Sequence, residues 1–473
     1  MSMNPSLGAG AIRALRAADG AEVMGPNDPG YESGRRAWNG MIDMSPAMIV
    51  RPRTAAGVAT TIGVARDHGL EIAVRGGGHN VAGQSSVDGG LLLDLSAMRA
   101  VTVDADARRA VAEGGALLSD LDRATTAVGL ATTGGMVPHT GIGGLTLGGG
   151  YGYLARQYGL ACDNLVAVTL VTASGEILRV TDADDPELMW GIRGAGANFG
   201  VVTSFEYRLH PVPSEVTTSD VFLAPEDAVP VIRALLDRAP ELPDEILFFV
   251  AGDTARSEHD LAPERLGQPM ITLGWSYLGD AEAGESWAAP ILGAGHPLRR
   301  VDGRYTYFDL QAMGGKSMPH GRRAYWKSSL VRTMEDTGIE AFLARGTSDG
   351  KTLAEAELVQ LGGAISRLGE GETAYGHRDA VFDFLALAVW DDPAEDETHI
   401  ADIRRAWSAV APHAMAASYI NNLGDEGEQR VRDAYGPEKY ARLQALKDRH
   451  DPHNVFHRNQ NVRPSPTMGS SAS

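Results

Sequence analysis

A run of three glycines that ends in a histidine is the segment whose residue types most directly indicate chemistry. The run is Arg75-Gly76-Gly77-Gly78-His79-Asn80, with Gly83 and Gln84 just beyond it. Consecutive glycines leave bare backbone amides that can form a nest for a pyrophosphate. The pattern is not the G-x-G-x-x-G that opens a helix, so it disfavours a Rossmann dinucleotide site. Taken alone, the segment also fits the commoner tight turn with a satisfied surface histidine.

A second glycine-rich segment spans residues 134–152. Its centre reads Val137-Pro138-His139-Thr140-Gly141-Ile142-Gly143-Gly144, and Gly149 and Gly150 follow. Side-chain packing cannot hold so many glycines, so the segment predicts backbone wrapped around a flat ligand. A flexible loop is the alternative. The apolar residues Ile142, Leu145 and Leu147 between the glycines argue against full disorder.

Two glutamates alternate within the segment Leu353-Ala354-Glu355-Ala356-Glu357-Leu358. If this segment is a strand, Glu355 and Glu357 share one face, because side chains alternate with a period of two. One carboxylate could then bind a cationic substrate or accept a proton. Two solvated glutamates on an edge strand or a helix are the alternative interpretation.

The elements that must position the first glycine run form a βαβ unit. Residues 48–50 and 70–74 predict strands, and Thr54 caps a helix between them that ends near Gly69. Glycine density falls after Pro213, where strands and helices alternate and indicate an α+β region. Further strands are predicted at 91–95, 110–112, 165–174, 176–180, 200–209, 246–251 and 270–277, and helices at 117–128, 330–346 and 436–449.

The composition excludes several classes of protein. A chain of 473 residues is too long for one ordinary core and predicts two domains or one elaborate domain. Its net charge of −19 disfavours a nucleic-acid partner, which requires clustered Lys and Arg. The single cysteine, Cys162, excludes an intramolecular disulfide and a cysteine-based metal site, and we expect no metal. Because no signal peptide and no run of about 20 apolar residues are found, we expect no membrane partner and a cytoplasmic protein.

The two glycine segments occur in one order with several further motifs. These are Leu91–Leu95, Tyr158-Gly159-Leu160, Asp163-Asn164, residues 190–202, and the tail Asp451-Pro452-His453-Asn454-Val455-Phe456 with Asn459-Gln460-Asn461. This order resembles that of the vanillyl-alcohol-oxidase-type flavoproteins, in the berberine-bridge-enzyme-like branch. The resemblance is strong over residues 46–213, good over 430–464, and present only in outline between them.

The resemblance implies an FAD cofactor held covalently through His79. A neutral imidazole offers one free lone pair as a nucleophile for the flavin 8α-methyl group. Family members often add a second bond from a cysteine at the position of Val137, so we expect one link, no cysteinyl bond, and a packed thiol at Cys162. Thr140 stands where oxidases of the family usually carry Val beside the ring carbon that meets dioxygen. Because Thr and Val are similar in shape, we expect dioxygen to have steric access to this carbon.

The remaining cofactor contacts implied by the resemblance come from both glycine segments and the tail. They are Arg75, Gly76, Gly77, Gly78, Asn80, Gly83, Gln84, Val137, Pro138, His139, Thr140, Gly141, Gly143, Gly144, Gly149, Gly150, Tyr153, Gly200, Val202, Asn459 and Asn461.

Several residues compete for the role of catalytic base. Tyr419 and Asn421, in Ser418-Tyr419-Ile420-Asn421-Asn422, resemble the Tyr-x-Asn element that the family places near the flavin. A tyrosine whose pKa is lowered by its neighbours could act as base. Glu355 and Glu357 are the other candidates, because the family places a sheet over the flavin near this point. A buried structural tyrosine is the alternative for Tyr419.

The resemblance implies a two-domain α+β fold of the vanillyl-alcohol-oxidase type. Residues 1–213, with a core at 46–213, would bind FAD, and residues 425–473 would return to this domain. Residues 214–424 would form the substrate domain, an antiparallel sheet covered by helices. We expect a monomer or a homodimer.

The implied reaction is oxidation of a small molecule. A hydride would leave a C–H next to an O–H or N–H of a small alcohol, amine or natural product, and dioxygen would take the electrons and give hydrogen peroxide. The alternatives are a flavin-dependent dehydrogenase with poor dioxygen reactivity and a non-catalytic flavin-binding member.

Overall fold

The computed structural model describes residues 9–343, 353–424 and 426–466. The first sheet comprises, in spatial order, β1 (Glu22–Met24), β2 (Met48–Arg51), β4 (Leu91–Asp94) and β3 (Ile72–Arg75). Helix α3 (Ala55–Asp67) connects β2 to β3, and the Thr54 side chain caps it by accepting a hydrogen bond from the N–H of Gly57. The predicted βαβ unit is thus confirmed, with β4 inserted between its two strands and parallel to both.

The second sheet is antiparallel and supports the other side of this region. In spatial order it comprises β5 (Val101–Asp104), β6 (Arg109–Glu113), β10 (Val201–Arg208), β8 (Leu165–Val171) and β9 (Ile177–Thr181). A two-stranded pair joins β7 (Leu130–Ala131) and β11 (His210–Pro211). The helices of this region are α1 (Ala9–Asp19), α2 (Tyr31–Arg35), α4 (Leu118–Thr126), α5 (Ile142–Leu147), α6 (Ala155–Tyr158) and α7 (Pro186–Ala195). The strands predicted at 110–112, 165–174, 176–180 and 200–209 are confirmed as β6, β8, β9 and β10.

A seven-stranded antiparallel sheet forms the middle of the chain. In spatial order it comprises β15 (Arg299–Tyr305), β12 (Val216–Leu223), β14 (Pro269–Tyr277), β13 (Ile246–Thr254), β17 (Leu353–Gln360), β18 (Phe382–Trp390) and β16 (Arg323–Val331). Helices α8 (Pro225–Arg238), α9 (Ala281–Leu292), α11 (Asp336–Leu343) and α13 (Asp396–Val410) cover one face and share an apolar core with it. This confirms the expected sheet covered by helices.

The helix predicted at 330–346 is partly wrong. Residues 330 and 331 end strand β16, which pairs with β18, and helix α11 contains only Asp336–Leu343. Residues 344–346 lie outside the described residues, as do 467–473 of the tail. The other helices of this part of the chain are α10 (Tyr307–Ser317) and α12 (Ala364–Arg367).

The C-terminal segment packs against the first half of the chain. Helices α14 (Glu428–Tyr435) and α15 (Pro437–His450) contribute Val431, Leu443 and Leu446 to a core that also contains Phe199 and Phe205. These contacts support the predicted return of residues 425–473 to the first domain, and the domain bounds themselves stay a prediction. Among the described residues, no helix is long and apolar enough to cross a membrane.

Candidate active site

A cavity of about 440 Å³ lies where the two glycine segments, the C-terminal tail and the large sheet meet. This volume is in the range of small-molecule and cofactor sites. Many of the predicted site residues line it: Gly76, Gly77, Gly78, His79, Asn80, Gln84, Val137, Thr140, Gly141, Gly143, Gly144, Gly200, Val202, Asn459, Glu357, Tyr419 and Asn421. The fold therefore brings together residues from distant parts of the sequence.

Close contact between the two glycine segments explains part of their composition. A Cβ atom on Gly77 would lie 2.2 Å from the backbone nitrogen of Gly141, and a Cβ on Gly141 would lie 2.2 Å from that of Gly77. Gly78 has a φ of 74°, which side chains disfavour. Only glycine at these positions lets the two backbones run side by side along the cavity.

Eight predicted cofactor contacts and Glu355 lie outside the cavity wall. They are Arg75, Gly83, Pro138, His139, Gly149, Gly150, Tyr153, Asn461 and Glu355. Arg75 is the clearest correction, because its guanidinium donates hydrogen bonds to the backbone carbonyls of Gly34, Arg36 and Ser85. It braces the N-terminal loops against the glycine run.

Tyr153 is a second correction of the same kind. Its ring packs against a separate apolar cluster that contains Leu154 and Tyr307. Tyr151, two residues earlier, lines the cavity instead. The sequence placed the right segment at the site but did not show which tyrosine faces it.

His79 lies in the cavity wall between other aromatic rings. Its ring stacks on Trp38 with the centroids 4.9 Å apart, and its Nε2 atom lies 2.6 Å from Nδ1 of His139. Burial, and then the nearby His139 and His320, lower the pKa of His79 to about 3. The ring is therefore neutral near pH 7 and retains a nucleophilic lone pair.

Strand β17 carries the predicted pair of glutamates. Ala356 and Leu358 pack into the core beneath the helices, so Glu355 and Glu357 lie on the opposite face, as the alternation predicted. Glu357 lines the cavity, and the side chain of Glu355 hydrogen-bonds to the side chain of Glu357. Burial, followed by repulsion from Glu357, raises the pKa of Glu355 well above its ordinary value. A second negative charge on the pair is therefore disfavoured.

Asp383 on the neighbouring strand β18 is a further carboxyl group, which we did not predict from the sequence. Its Oδ2 atom accepts hydrogen bonds of 2.8 Å from the Tyr151 hydroxyl and from Nδ2 of Asn422, and both of these residues line the cavity. Burial raises the pKa of Asp383 to about 7, although these two hydrogen bonds lower it. A carboxyl group with such a pKa can exchange a proton near neutral pH.

The sequence signal for Asp383 was weak but present. The residue is fully buried between Phe382 and Phe384 in a strand that reads Phe-Asp-Phe-Leu-Ala-Leu. An acidic residue inside an apolar strand is rare unless it is paired or functional.

Family comparisons identify two matching segments. The model described as "FAD binding domain" matches residues 46–181, and the model described as "Berberine and berberine like" matches residues 418–463. The chain is also 32% identical over 460 residues to (R)-6-hydroxynicotine oxidase of Paenarthrobacter nicotinovorans, covering 94% of this chain and 96% of that protein.

The chain belongs to the berberine-bridge-enzyme-like FAD-linked oxidoreductases. Its fold is similar to that of 6-hydroxy-D-nicotine oxidase from Arthrobacter nicotinovorans, with a TM-score of 0.86, 31% identity, and coverage of 94% of this chain and 98% of that one. It is also similar to BBE-like 1 of Physcomitrella patens, with a TM-score of 0.85, 26% identity, and coverage of 96% and 99%. The predicted family, its two-domain α+β fold and the enzyme class are confirmed.

Several polar groups of this family member fit an FAD in the cavity. Among the described residues, the buried Oδ1 atom of Asn459, Oγ of Ser85 and Nε of Arg458 have no hydrogen-bond partner. Asn459 and Arg458 line the same cavity as the two glycine segments. Because buried polar groups normally have partners, these atoms indicate a polar ligand with many hydrogen-bonding groups. The paired glycine backbones provide a flat surface against which the ligand could lie.

Tyr419 does not have the properties expected of a base in this flavoprotein. Its hydroxyl accepts hydrogen bonds from the N–H of Gly150 at 2.8 Å and from Nδ2 of Asn421 at 2.7 Å. Burial raises its pKa, whereas the role of base would require neighbours that lower it. Nδ2 of Asn421 also donates to the carbonyl of Leu145. Both side chains hold the second glycine segment in place.

The only cysteine of the chain does not occupy the position expected for a second flavin bond. Val137 lines the cavity where many relatives are expected to carry a cysteine. Cys162 is fully buried in a separate apolar cluster with Leu160 and Leu330. Burial raises the pKa of its thiol well above the ordinary value. This fits the packed thiol expected from the sequence.

Proposed function

We propose that this chain is an FAD-dependent oxidase that binds its flavin through one bond to His79 and oxidises a small amine. The observation that carries the proposal is the composition of the cavity wall. The wall contains a neutral imidazole, two glycine backbones and Glu357 of the large sheet. The chemistry that bound FAD would supply is to accept a hydride from the substrate carbon. A small alcohol is the second candidate.

The carboxyl groups favour an amine over an alcohol. Glu355, Glu357 and Asp383 lie on adjacent strands β17 and β18, and Glu357 raises the pKa of both of the others. A substrate ammonium group beside Glu357, the one of the three that lines the cavity, would offset this repulsion, because opposite charges at short distance stabilise each other. A neutral alcohol would leave the repulsion unchanged.

A proton must leave the substrate nitrogen before a hydride leaves the adjacent carbon. Tyr151 lines the cavity and donates its hydroxyl proton to Asp383. The phenol oxygen can therefore accept a proton from the substrate N–H while its own proton moves to Asp383. This pathway gives the base role to the Tyr151–Asp383 pair instead of Tyr419.

The proposal also includes dioxygen as the acceptor of the electrons from the reduced flavin. Thr140 lines the cavity at the position expected to border the reacting ring carbon, and its side chain has nearly the shape of valine. Its size leaves room for dioxygen to approach. Hydrogen peroxide would be the second product.

Matched pairs of substrates test the proposed amine class. Purified protein is mixed anaerobically with cyclic or benzylic amines and with the alcohols of the same skeleton, and bleaching of the flavin absorbance is followed. We expect at least one amine to reduce the flavin, and its alcohol to react about tenfold more slowly or not at all. Glu357→Gln should raise KM for the amine more than it lowers kcat, because it removes ground-state binding.

Two outcomes would contradict parts of this proposal. Faster reduction by alcohols, with no effect of Glu357→Gln, would reject the amine class and keep the oxidase. A protein that shows no flavin absorbance after incubation with FAD would reject the cofactor assignment. Peroxide formed on admission of air is the measure of the oxidase activity itself.

A further inference from the structure

Three histidine rings meet beside the cavity, on three separate segments of the chain. The ring centroids of His79 and His139 are 4.7 Å apart, and those of His139 and His320 are 4.6 Å apart. The 2.6 Å between Nε2 of His79 and Nδ1 of His139 is a hydrogen-bond distance. His79 lines the cavity, whereas His320 is exposed. The cluster therefore connects the cavity with solvent.

Backbone hydrogen bonds hold these segments together. The N–H of Trp38 donates to the carbonyl of Gly78, and the N–H of Gly321 donates to the carbonyl of Trp38. The indole of Trp38 also stacks on the ring of His79. The N–H of Thr140 closes a turn onto the carbonyl of Val137 beside His139. The ring positions are thus set by the fold, as a catalytic arrangement requires.

The cluster is uncharged near neutral pH. Burial lowers the pKa values of His79 and His139, and the neighbouring His320 lowers both further. One proton must lie between Nε2 of His79 and Nδ1 of His139, because a hydrogen bond needs one donor. When this proton belongs to His79, the free lone pair of His79 is on its Nδ1 atom. Nδ1 is then the nucleophile, and His139 stands behind it as an acceptor.

We propose that His139 is the general base for self-catalysed attachment of the flavin to His79, an inference that rests on the covalent bond proposed above. Nδ1 of His79 forms a bond to the 8α-methyl carbon, while His139 takes the proton from Nε2 of His79. The methyl carbon releases a second proton. Two electrons pass to the flavin ring and then to dioxygen, which takes up two protons and becomes hydrogen peroxide. His320 is the next ring on the path by which the proton reaches solvent.

The distance between the rings favours proton transfer over metal binding. One nitrogen from each of His79, His139 and His320 could meet at a metal ion, since these atoms lie within 4.8 Å of one another. Two nitrogen ligands of a tetrahedral zinc ion lie about 3.3 Å apart, given zinc–nitrogen distances of about 2.0–2.1 Å. Nε2 of His79 and Nδ1 of His139, at 2.6 Å, are too close for both to bind one zinc ion, and their distance fits a shared proton.

The rate of covalent attachment tests the role of His139 directly. Full-length chain is purified from riboflavin-limited cells and incubated with FAD, and the flavin that stays with acid-precipitated protein is measured over time. We expect His139→Ala to attach flavin about 100-fold more slowly than the wild type. His139→Gln should be equally slow, because an amide accepts a hydrogen bond but cannot take the proton. Added imidazole should restore the rate of His139→Ala but not that of His79→Ala.

Reversible FAD binding, measured by quenching of FAD fluorescence, separates a base from a structural residue. It should be unchanged in His139→Ala and His139→Gln. Attachment at the wild-type rate in either variant would overturn the role of base while leaving the link to His79 intact. Loss of reversible binding in both would assign His139 to holding the cofactor and would also overturn it. A wild-type protein that retains no flavin after precipitation would instead reject the covalent link itself.

Discussion

The environment of Asp383 explains how a buried carboxyl group can act as a proton acceptor. Its Oδ1 atom is buried and has no partner among the described residues, while Oδ2 accepts from Tyr151 and Asn422. Ionisation is opposed by burial and by the charge of Glu357 and is assisted by the two hydrogen bonds. These effects leave the pKa of Asp383 at about 7, where a base is most effective at physiological pH.

We expect the rate of flavin reduction at saturating substrate to rise with pH through a pKa near 7. Asp383 accepts a proton only when it is ionised, so the rate should fall about tenfold per pH unit below that pKa. Asp383→Asn should remove this pH dependence and lower the rate about 100-fold at pH 8. Anaerobic stopped-flow measurements from pH 5 to pH 9 check both expectations.

Asn422→Ala is the matched control for this pH profile. It removes a hydrogen bond that stabilises the ionised form of Asp383, so the midpoint should move above that of the wild type. Tyr151→Phe breaks the path to the substrate and should be as slow as Asp383→Asn. A midpoint that does not move in Asn422→Ala would assign the titration to another group.

The side chain at position 140 should control the reaction with dioxygen. Thr140→Val keeps the volume of the side chain, so reoxidation of reduced flavin should stay close to the wild-type rate. Thr140→Leu adds bulk to the cavity wall and should slow reoxidation at least about tenfold, a barrier change of about 1.4 kcal/mol. Mixing photoreduced protein with oxygenated buffer measures the rate. Slow reoxidation of wild type and of Thr140→Val alike would favour the dehydrogenase alternative.

The two glycine segments act as one structural element, although many residues separate them in sequence. Gly77 and Gly141 meet at a distance that excludes a side chain on either. Gly144, on the short helix α5, lies in the cavity wall, and outside its own helix no atom of the described residues lies within 4 Å of the position that a methyl group on it would take. A methyl group at Gly77 would therefore meet protein, whereas one at Gly144 would meet only what fills the cavity.

Gly77→Ala and Gly144→Ala should therefore have opposite effects on stability. The clash in Gly77→Ala should lower the free energy of unfolding by about 1–3 kcal/mol, as overpacking does. Gly144→Ala should raise the stability of the flavin-free protein by up to about 1 kcal/mol, because alanine favours the helix, and it should weaken FAD binding. Thermal melts with and without FAD measure both effects. Equal FAD binding by Gly144→Ala and wild type would place the flavin elsewhere in the cavity.

Features of the site that depend on local sequence pattern could be predicted from the sequence, whereas features that depend on long-range contacts and burial could not. The second glycine run indicated a ligand-binding backbone because side-chain packing cannot hold so many glycines, whereas the role of His79 followed only from the family resemblance and stays a prediction. The alternation of Glu355 and Glu357 follows from strand geometry alone. The inner sheet order was not predictable, since β17 and β18 meet only through long-range pairing. Tyr151 and Tyr153 could not be distinguished, and the pKa of Tyr419 depends on burial, which the sequence does not give.

At the scale of the whole molecule, a hydrogen-bond network around a buried lysine holds the C-terminal segment to the rest of the chain. Lys447 on α15 is fully buried, and its Nζ atom donates to Asp451 and to the backbone carbonyls of Asn198 and Phe456. Asp451 in turn accepts from the backbone N–H groups that follow it, including that of Phe456. This network links the segment that carries Asn459 and Gln460 to the region before β10. The tail side of the cavity therefore depends on it.

We expect Lys447→Met to destabilise the protein by about 3–5 kcal/mol, because it leaves the charge of Asp451 buried without its partner. Arg405→Met, which removes the exposed ion pair with Asp402 on α13, should cost less than about 1 kcal/mol. Urea denaturation of both variants gives the two free energies. Because Lys447 anchors the tail, Lys447→Met should also bind FAD more weakly, whereas Arg405→Met should bind it normally. Equal losses of stability in the two variants would show that the tail does not depend on this buried pair.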